Sequence, residues 1–303
     1  MGKHFMKLVT VSIIPCLTAV APAAIDYSTA GSVYQQDFNT LASAGTANPW
    51  TNNVTLPGFY AFHSGATSTA AGIVRGSPDN IEPTNWIAVN DYRTSGGSSS
   101  RIYAWGHATI DPSDRALGSL AGSVGTSDPG DFFYGLVLRN TTGETLTSFT
   151  LTYTGEQWFD QLASSTTGPV GPHTLVFSYL VKDGFDANAD IPTQNNFGSY
   201  TLEPSLNFVS PTTGNTSTTS VQSLNGNLDE NRGTISATIA VDWAPDQYLI
   251  LRFWDDDDSG NDQPHGIDDL SFSATSDVIP EPGTAGVLVA ATASMLISRR
   301  RRS

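Results

Sequence analysis

The chain has 303 residues, with 14 Lys and Arg against 29 Asp and Glu, a formal charge of −15 and one cysteine. A surface this acidic repels phosphodiester backbones and anionic membrane surfaces, so nucleic acid is excluded as a partner. One cysteine, Cys16, allows no internal disulfide, and the body must be held together by its core.

In chain order, Lys3, His4 and Lys7 form a basic start, Leu8 to Val20 an apolar run, and Ala21-Pro22-Ala23-Ala24 a small-residue stretch. That order predicts a secretory signal peptide over 1–24, cut by signal peptidase after Ala23 or one residue later, and the run is short for a membrane span. Pro15 stands before Cys16, where a lipobox has a small residue. If the body is taken to end at Ile279, the two ends carry six of the 14 basic residues and one of the 29 acidic ones, leaving eight against 28, a formal body charge of −20.

The body, 25–276, shows alternation and no long helical period. Strands are predicted over 132–139 and 146–155, joined antiparallel through the turn residues 140–145. Further strands are expected at 174–182, 234–243, 248–254 and 267–274. Residues 186–232 read as a polar excursion with short strands near 200–202 and 206–209. Many short strands and turn signals predict an all-β fold, a β-sandwich of jelly-roll type.

The tail, 277–303, contains Pro280-Glu281-Pro282, an uncharged apolar stretch from Thr284 to Ile297, and Arg299, Arg300, Arg301 and Arg302. The prolines favour an extended segment, the apolar stretch a single transmembrane helix, and the arginines a cytoplasmic end. A plain anchor explains the helix and the arginines but not Pro-Glu-Pro. The combination resembles the PEP-CTERM sorting signal. The resemblance implies a transient inner-membrane stage, recognition by an exosortase, removal of the tail, and delivery to the cell surface or an exopolysaccharide matrix. Phe38-Asn39-Thr40-Leu41, Leu56-Pro57-Gly58-Phe59-Tyr60, Ser113 to Leu120 and Gly266 to Phe272 are similar to β-sandwich modules that accompany such tails. That similarity implies a fold and a setting without a reaction.

The densest charge lies in Asp255-Asp256-Asp257-Asp258-Ser259-Gly260-Asn261-Asp262, followed by His265 and Asp268-Asp269. Oxygen ligands on a Gly-containing loop suit a hard cation, Ca²⁺ above all. The opening matches an EF-hand, but Gly266 stands where the bidentate Glu belongs. The strand after the loop brings a last-strand Asp within reach, a pattern similar to the structural Ca²⁺ sites of jelly-roll carbohydrate-binding modules. Asp255, Asp257, Asp262 and Asp269 are therefore the expected Ca²⁺ ligands; the alternative is a solvated acidic turn.

For catalysis, Glu156 beside Trp158 is the best single carboxylate. Its partner is Asp160 or Asp131 in a glycosidase reading, or Arg115 or Arg139 if it merely ends a strand. His63, His107, His173 and His265 have no zinc-site spacing, and no nucleophile elbow, P-loop or dinucleotide fingerprint occurs. Among the aromatics Trp50, Tyr60, Trp86, Tyr92, Tyr103, Trp105 and Trp158, the last two are the candidate glycan-stacking rings, against core filling as the alternative. The sequence thus points first to an exported, non-enzymatic structural or adhesive protein of the surface or exopolysaccharide matrix. A carbohydrate-binding module with structural Ca²⁺ is the second reading and a glycan-cleaving enzyme the third.

Overall fold

The computed structural model describes residues 24–44, 48–63, 88–91, 101–107, 110–122, 130–191, 199–258 and 260–276. The stretches expected to be a sorting tail (277–303) and, but for Ala24, a signal peptide (1–24) lie outside them, as do Trp86 and Tyr92. In chain order the strands are β1 (Ile25–Tyr27), β2 (Tyr34–Gln36), β3 (Phe59–His63), β4 (Ala88–Asp91), β5 (Arg101–His107), β6 (Asp111–Leu120), β7 (Phe132–Asn140) and β8 (Leu146–Gln157). Then come β9 (Phe159–Asp160), β10 (Thr174–Lys182), the one-turn helix α1 (Ala187–Asp190), β11 (Thr201–Leu202), β12 (Phe208–Val209) and β13 (Gln222–Ser223). The long strands β14 (Arg232–Trp243), β15 (Tyr248–Asp255) and β16 (His265–Thr275) close the fold. None of the described helices is long and apolar enough to cross a membrane.

The chain folds as a β-sandwich of two seven-stranded sheets. In the first, β7, β15 and β10 run side by side; β1 and β3 share the free side of β7, and β11 and β12 share that of β10. The second runs β14-β8-β16-β6-β5-β4, with β2 also on β16.

Alternation explains the layering. Phe149, Leu151 and Tyr153 of β8 point inward against Phe177 of β10 and Leu249, Leu251 and Phe253 of β15. Phe253 meets Tyr153 and Phe177 edge-on, with centroids 5.1 and 5.3 Å apart. Each such ring contributes about 1.5–3 kcal/mol by leaving water. Two smaller apolar clusters cover the outer faces. Tyr60, Phe62, Phe133 and Ile250 lie outside the first sheet; Tyr103, Trp105, Trp158 and Phe159 lie outside the second.

The turn at 140–145 joins β7 to β8 as expected, but the two strands lie in different sheets, so it is a corner rather than a hairpin. Asn140 holds it: its Nδ2 donates to the carbonyls of Glu144 and Trp243 at 2.9 and 2.8 Å, and its Oδ1 accepts from the Thr142 N–H at 3.0 Å. Likewise β15 and β16 lie in opposite sheets, and the acidic loop bridges the end of the sandwich. β16 carries a register irregularity between Asp268 and Ser271, with Asp269 at φ 47°. Such a bulge turns one extra side chain away from the regular alternation.

Candidate metal centre and buried acid groups

The bridging loop brings His173, just ahead of β10, against Asp258 and Asp262. His173 Nδ1 lies 3.3 Å from Asp258 Oδ2 and 3.7 Å from Asp262 Oδ1, and the three candidate ligand atoms all lie within 4.8 Å of one another. Nδ1 also accepts the Gln263 N–H at 3.2 Å, which places the ring proton on Nε2. Burial lowers the His173 pKa, opposed by the charge of Asp258; a metal at Nδ1 would have to displace the Gln263 N–H from its lone pair. Asp262 is pushed up to about 9, first by burial and then by the charges of Asp255, Asp257 and Asp258. A cation would relieve that crowding. One nitrogen and two carboxylates make a borderline donor set, nearer to Zn²⁺ than to Ca²⁺.

This group differs from the expected one. Asp262 belongs to it. Asp255 is taken up by the protein: its Oδ2 accepts from Ser119 Oγ at 2.6 Å and the Ala121 N–H at 3.2 Å, and its Oδ1 faces His265 Nδ1 at 3.1 Å. Asp257 lies in the same loop, its N–H donating to Asp131 Oδ1 at 3.0 Å. Asp269 is elsewhere, because β16 belongs to the other sheet; it sits on the outer face of the second sheet near Glu156, Asp268 and Asp114. His173 is distant in sequence from the loop, and no spacing motif marks it.

His265 is a strand residue and not a loop residue. It is fully buried, and its Nε2 lies 3.0 Å from Ser210 Oγ. Ser210, His265 and Asp255 thus share the connectivity of a nucleophilic triad. Their exposures are 3, 0 and 2 %, so no substrate carbonyl reaches Ser210 in this conformation. The chain of bonds ties the residue after β12 to β15 and β16.

Glu156 does not meet Asp160, Asp131, Arg115 or Arg139. It is buried, and its Oε2 accepts from Trp158 Nε1 at 3.0 Å. Burial first, and then the charge of Asp114, push it up to about 8. Asp268 is pushed up to about 9 by burial and then by Glu156, and its Oδ1 is buried without a hydrogen-bond partner. Asp160 is occupied at the other side of β9, accepting from Gln263 Nε2 at 2.8 Å and the Asn215 N–H at 2.8 Å.

Trp105 and Trp158 are 1 and 2 % exposed, so neither offers a face to a sugar. They are parallel, with centroids 6.4 Å apart, and Tyr103 stacks on Trp105 at 4.2 Å. Trp105 Nε1 donates to the His265 carbonyl at 3.0 Å. The rings reach this close to the sheet because Gly118 lies beneath them. A Cβ there would stand 1.9 Å from the His265 carbonyl oxygen and 2.6 Å from Trp105 Nε1.

The exposed part of the second sheet is different. Thr150, Thr152 and Thr154 of β8 point outward, flanked by Thr234, Ser236 and Thr238 of β14 and by Ser271, Ser273 and Thr275 of β16. Thr150 and Thr238 hydroxyls lie 2.8 Å apart, and those of Thr152 and Ser236 2.7 Å apart. These nine positions carry hydroxyls and no charge.

No protein-family model matches the chain, and no curated protein matches it. Among solved structures, it is similar to the CBM22-1 xylan-binding domain of Paenibacillus barcinonensis Xyn10C at TM-score 0.33 and 12 % identity, over 83 % of this chain and 99 % of that one. It is similar to TmCBM61 in complex with β-1,4-galactotriose at TM-score 0.26 and 7 % identity, over 60 % of this chain and 88 % of that one. A third is the K3 adhesin domain of Lys-gingipain from Porphyromonas gingivalis, at TM-score 0.24 and 14 % identity, over 54 and 76 % of the two chains. At such scores the likeness carries neither ligand nor activity to this chain.

Proposed function

We propose that this is an exported, exosortase-sorted protein of the cell surface or exopolysaccharide matrix that works by adhesion and not by catalysis, on a sandwich of jelly-roll type. The observation that carries the adhesive role is the hydroxyl face of β14, β8 and β16. A field of nine Ser and Thr side chains, with charges only at its margins (Asp229, Arg232 and Asp269 beside Thr154 and Thr234, and Asp242 at the far end of β14), is a surface that a neutral or weakly acidic polyhydroxyl chain can approach on a body of formal charge −20. Each hydroxyl donates once and accepts twice, so capacity remains after the cross-strand pairs are made. The buried state of Glu156, Trp105 and Trp158 leaves this face, and not an aromatic cleft, as the contact surface in this reading. His173, Asp258 and Asp262 hold a structural cation that pins the loop to β10.

The address rests on Pro280-Glu281-Pro282, the apolar stretch and the four arginines. Intact mass of the protein from its native envelope should show a chain starting near Ile25 and ending ahead of the apolar stretch. A surface form retaining Arg299 to Arg302 would count against exosortase processing. The adhesive role is tested by titrating the 25–279 body with the producing organism's own exopolysaccharide. Saturable binding, lost in Ser271→Asp with Ser273→Asp, is the expected result. Absence of binding would leave a protein–protein contact role.

A further inference from the structure

β14 ends the second sheet. It pairs with β8 regularly from Arg232 to Ala240 and, past a register irregularity, at Trp243, and among the described residues no strand lies on its other side. An edge of twelve residues is long, and edges are usually guarded by Lys, Pro or an inward charge. From 233 to 241 the sequence is Gly-Thr-Ile-Ser-Ala-Thr-Ile-Ala-Val, with none of these. Beside the edge lies an open recess lined by Tyr179, Leu180, Val181, Ala240 and Val241, with Ser199, Thr201 and Asp242 at its polar side. Ile235, Ala237, Val241, Tyr179 and Val181 are only partly buried there. The turn Pro204–Leu206 covers the Ile235 end of this flank, and the rest is open.

The strand is complementary to itself. In an antiparallel pair of two copies centred on Ala237, residues of like face stand opposite one another. Arg232 of one copy then meets Asp242 of the other, Thr234 meets Ala240, Ile235 meets Ile239, and Ser236 meets Thr238. Arg232 and Asp242 are both exposed and sit at the two ends of the strand; Arg232 already meets Asp229 of its own chain at 2.8 Å, which the Asp242 of the other copy would share, and Asp242 lies at the register irregularity after Ala240. Registers shifted by two residues place Asp242 opposite Glu230 or Thr234, so this register alone pairs the two charges. The isoleucines meet on the core side and cover the open flank, while the hydroxyl face continues across both copies.

We propose that the protein forms a two-fold dimer through antiparallel β14–β14 pairing centred on Ala237, a closed isologous contact. The dimer does not depend on glycan binding and is tested without glycan.

Facing residues of an antiparallel pair have Cα atoms about 4.5–5.5 Å apart, within disulfide reach, whereas diagonal ones are about 7–8 Å apart. In the full chain carrying Cys16→Ser, a mixture of Ser236→Cys and Thr238→Cys chains should give a disulfide-linked dimer on mild oxidation, and either variant alone should give little. Equal yields in all three samples, or none in the mixture, would overturn the register. By sedimentation, Arg232→Asp or Asp242→Arg should each weaken the dimer, and the two together in one chain should restore it. Two exposed ion pairs per dimer correspond to about tenfold in Kd. Ser236→Lys with Thr238→Lys sets Lys against Lys and should leave a folded monomer, checked by circular dichroism. A wild-type chain that stays monomeric, or a dimer that survives both lysines, would refute the pairing.

Discussion

Glu156 on β8 and Asp268 on β16 are diagonal neighbours on the outer face of one sheet, two buried acids of which Glu156 accepts from Trp158 Nε1 and Asp268 from the Asp269 backbone N–H. Burial is the larger cause of both raised pKa values, about 8 and about 9; the charge of Asp114 on Glu156 and of Glu156 on Asp268 comes second. In the folded state both hold protons at neutral pH. An acid with a raised folded pKa contributes its stability fully below its unfolded value of about 4, and loses it as pH rises through the folded value. Stability should therefore fall between about pH 4 and about pH 9. Asp268→Asn keeps the shape and removes the ionisation. It should stabilise the protein at pH 8.5 and flatten the slope, by an amount on the order of 1–3 kcal/mol. Urea unfolding at pH 5 and pH 8.5 measures this. A wild-type and variant that differ equally at both pH values would show that Asp268 is already ionised in the fold.

The cation prediction separates two donor chemistries. A ligand bound only by the native state at a hundred times its Kd adds about 2.7 kcal/mol, several degrees in Tm for a domain this size. Zn²⁺ should raise Tm more than Ca²⁺ at equal free concentration, because an imidazole nitrogen and two carboxyl groups form the group. Asp262→Asn or His173→Ala should abolish the rise. Asp269→Asn should leave it intact, since that residue faces Asp268 and Glu156 on another surface. A Tm that is the same in metal and in chelator ends the cation reading.

Much of the fold was legible because inward and outward residues alternate strictly where one face is buried. Phe149, Leu151 and Tyr153 against Thr150, Thr152 and Thr154 is such a case. Which sheet each strand joins was not legible. The corner at Asn140 and the bridging loop after Asp255 use the same residue types as hairpins, and only bonds to distant carbonyls such as Trp243 distinguish them. The site failed for the same reason. His173 is brought to Asp258 by the crossing between sheets, and the last-strand acids Asp268 and Asp269 lie on the other sheet, away from the loop. Trp105 and Trp158 sit in polar sequence surroundings, but their burial depends on Gly118 and Gly266 lying under the rings, a long-range contact that composition does not report.

That contact predicts how the tryptophans respond. Trp158→Phe keeps most of the apolar cover and loses the Nε1 bond to Glu156, so it should cost about 1–3 kcal/mol. Gly118→Ala forces a Cβ into a backbone carbonyl and should cost about 3 kcal/mol or more. Gly143→Ala meets nothing within 4 Å and bears only the strain of φ +84°, about 1–2 kcal/mol. Thermal unfolding of the three variants gives the order. If Gly118→Ala proves milder than Gly143→Ala, the rings do not pack on this part of the sheet.

The same geometry bears on adhesion. Were Trp105 or Trp158 to stack on a sugar, replacing either would abolish glycan binding even in a folded protein. The structure buries both, so Trp158→Phe should bind exopolysaccharide as the wild type does, below its melting temperature. Thr152→Asp, by contrast, places a carboxylate at the centre of the hydroxyl field, opposite Ser236 and Ser271. It should weaken binding to an acidic polymer by about tenfold, and the loss should shrink in high salt as the Debye length falls from about 10 Å at 0.1 M to about 3 Å at 1 M. Binding isotherms at the two salt concentrations, for these two variants, decide the matter. If Trp158→Phe loses binding and Thr152→Asp keeps it, the contact surface is the aromatic pad and the covering segments open to admit the glycan.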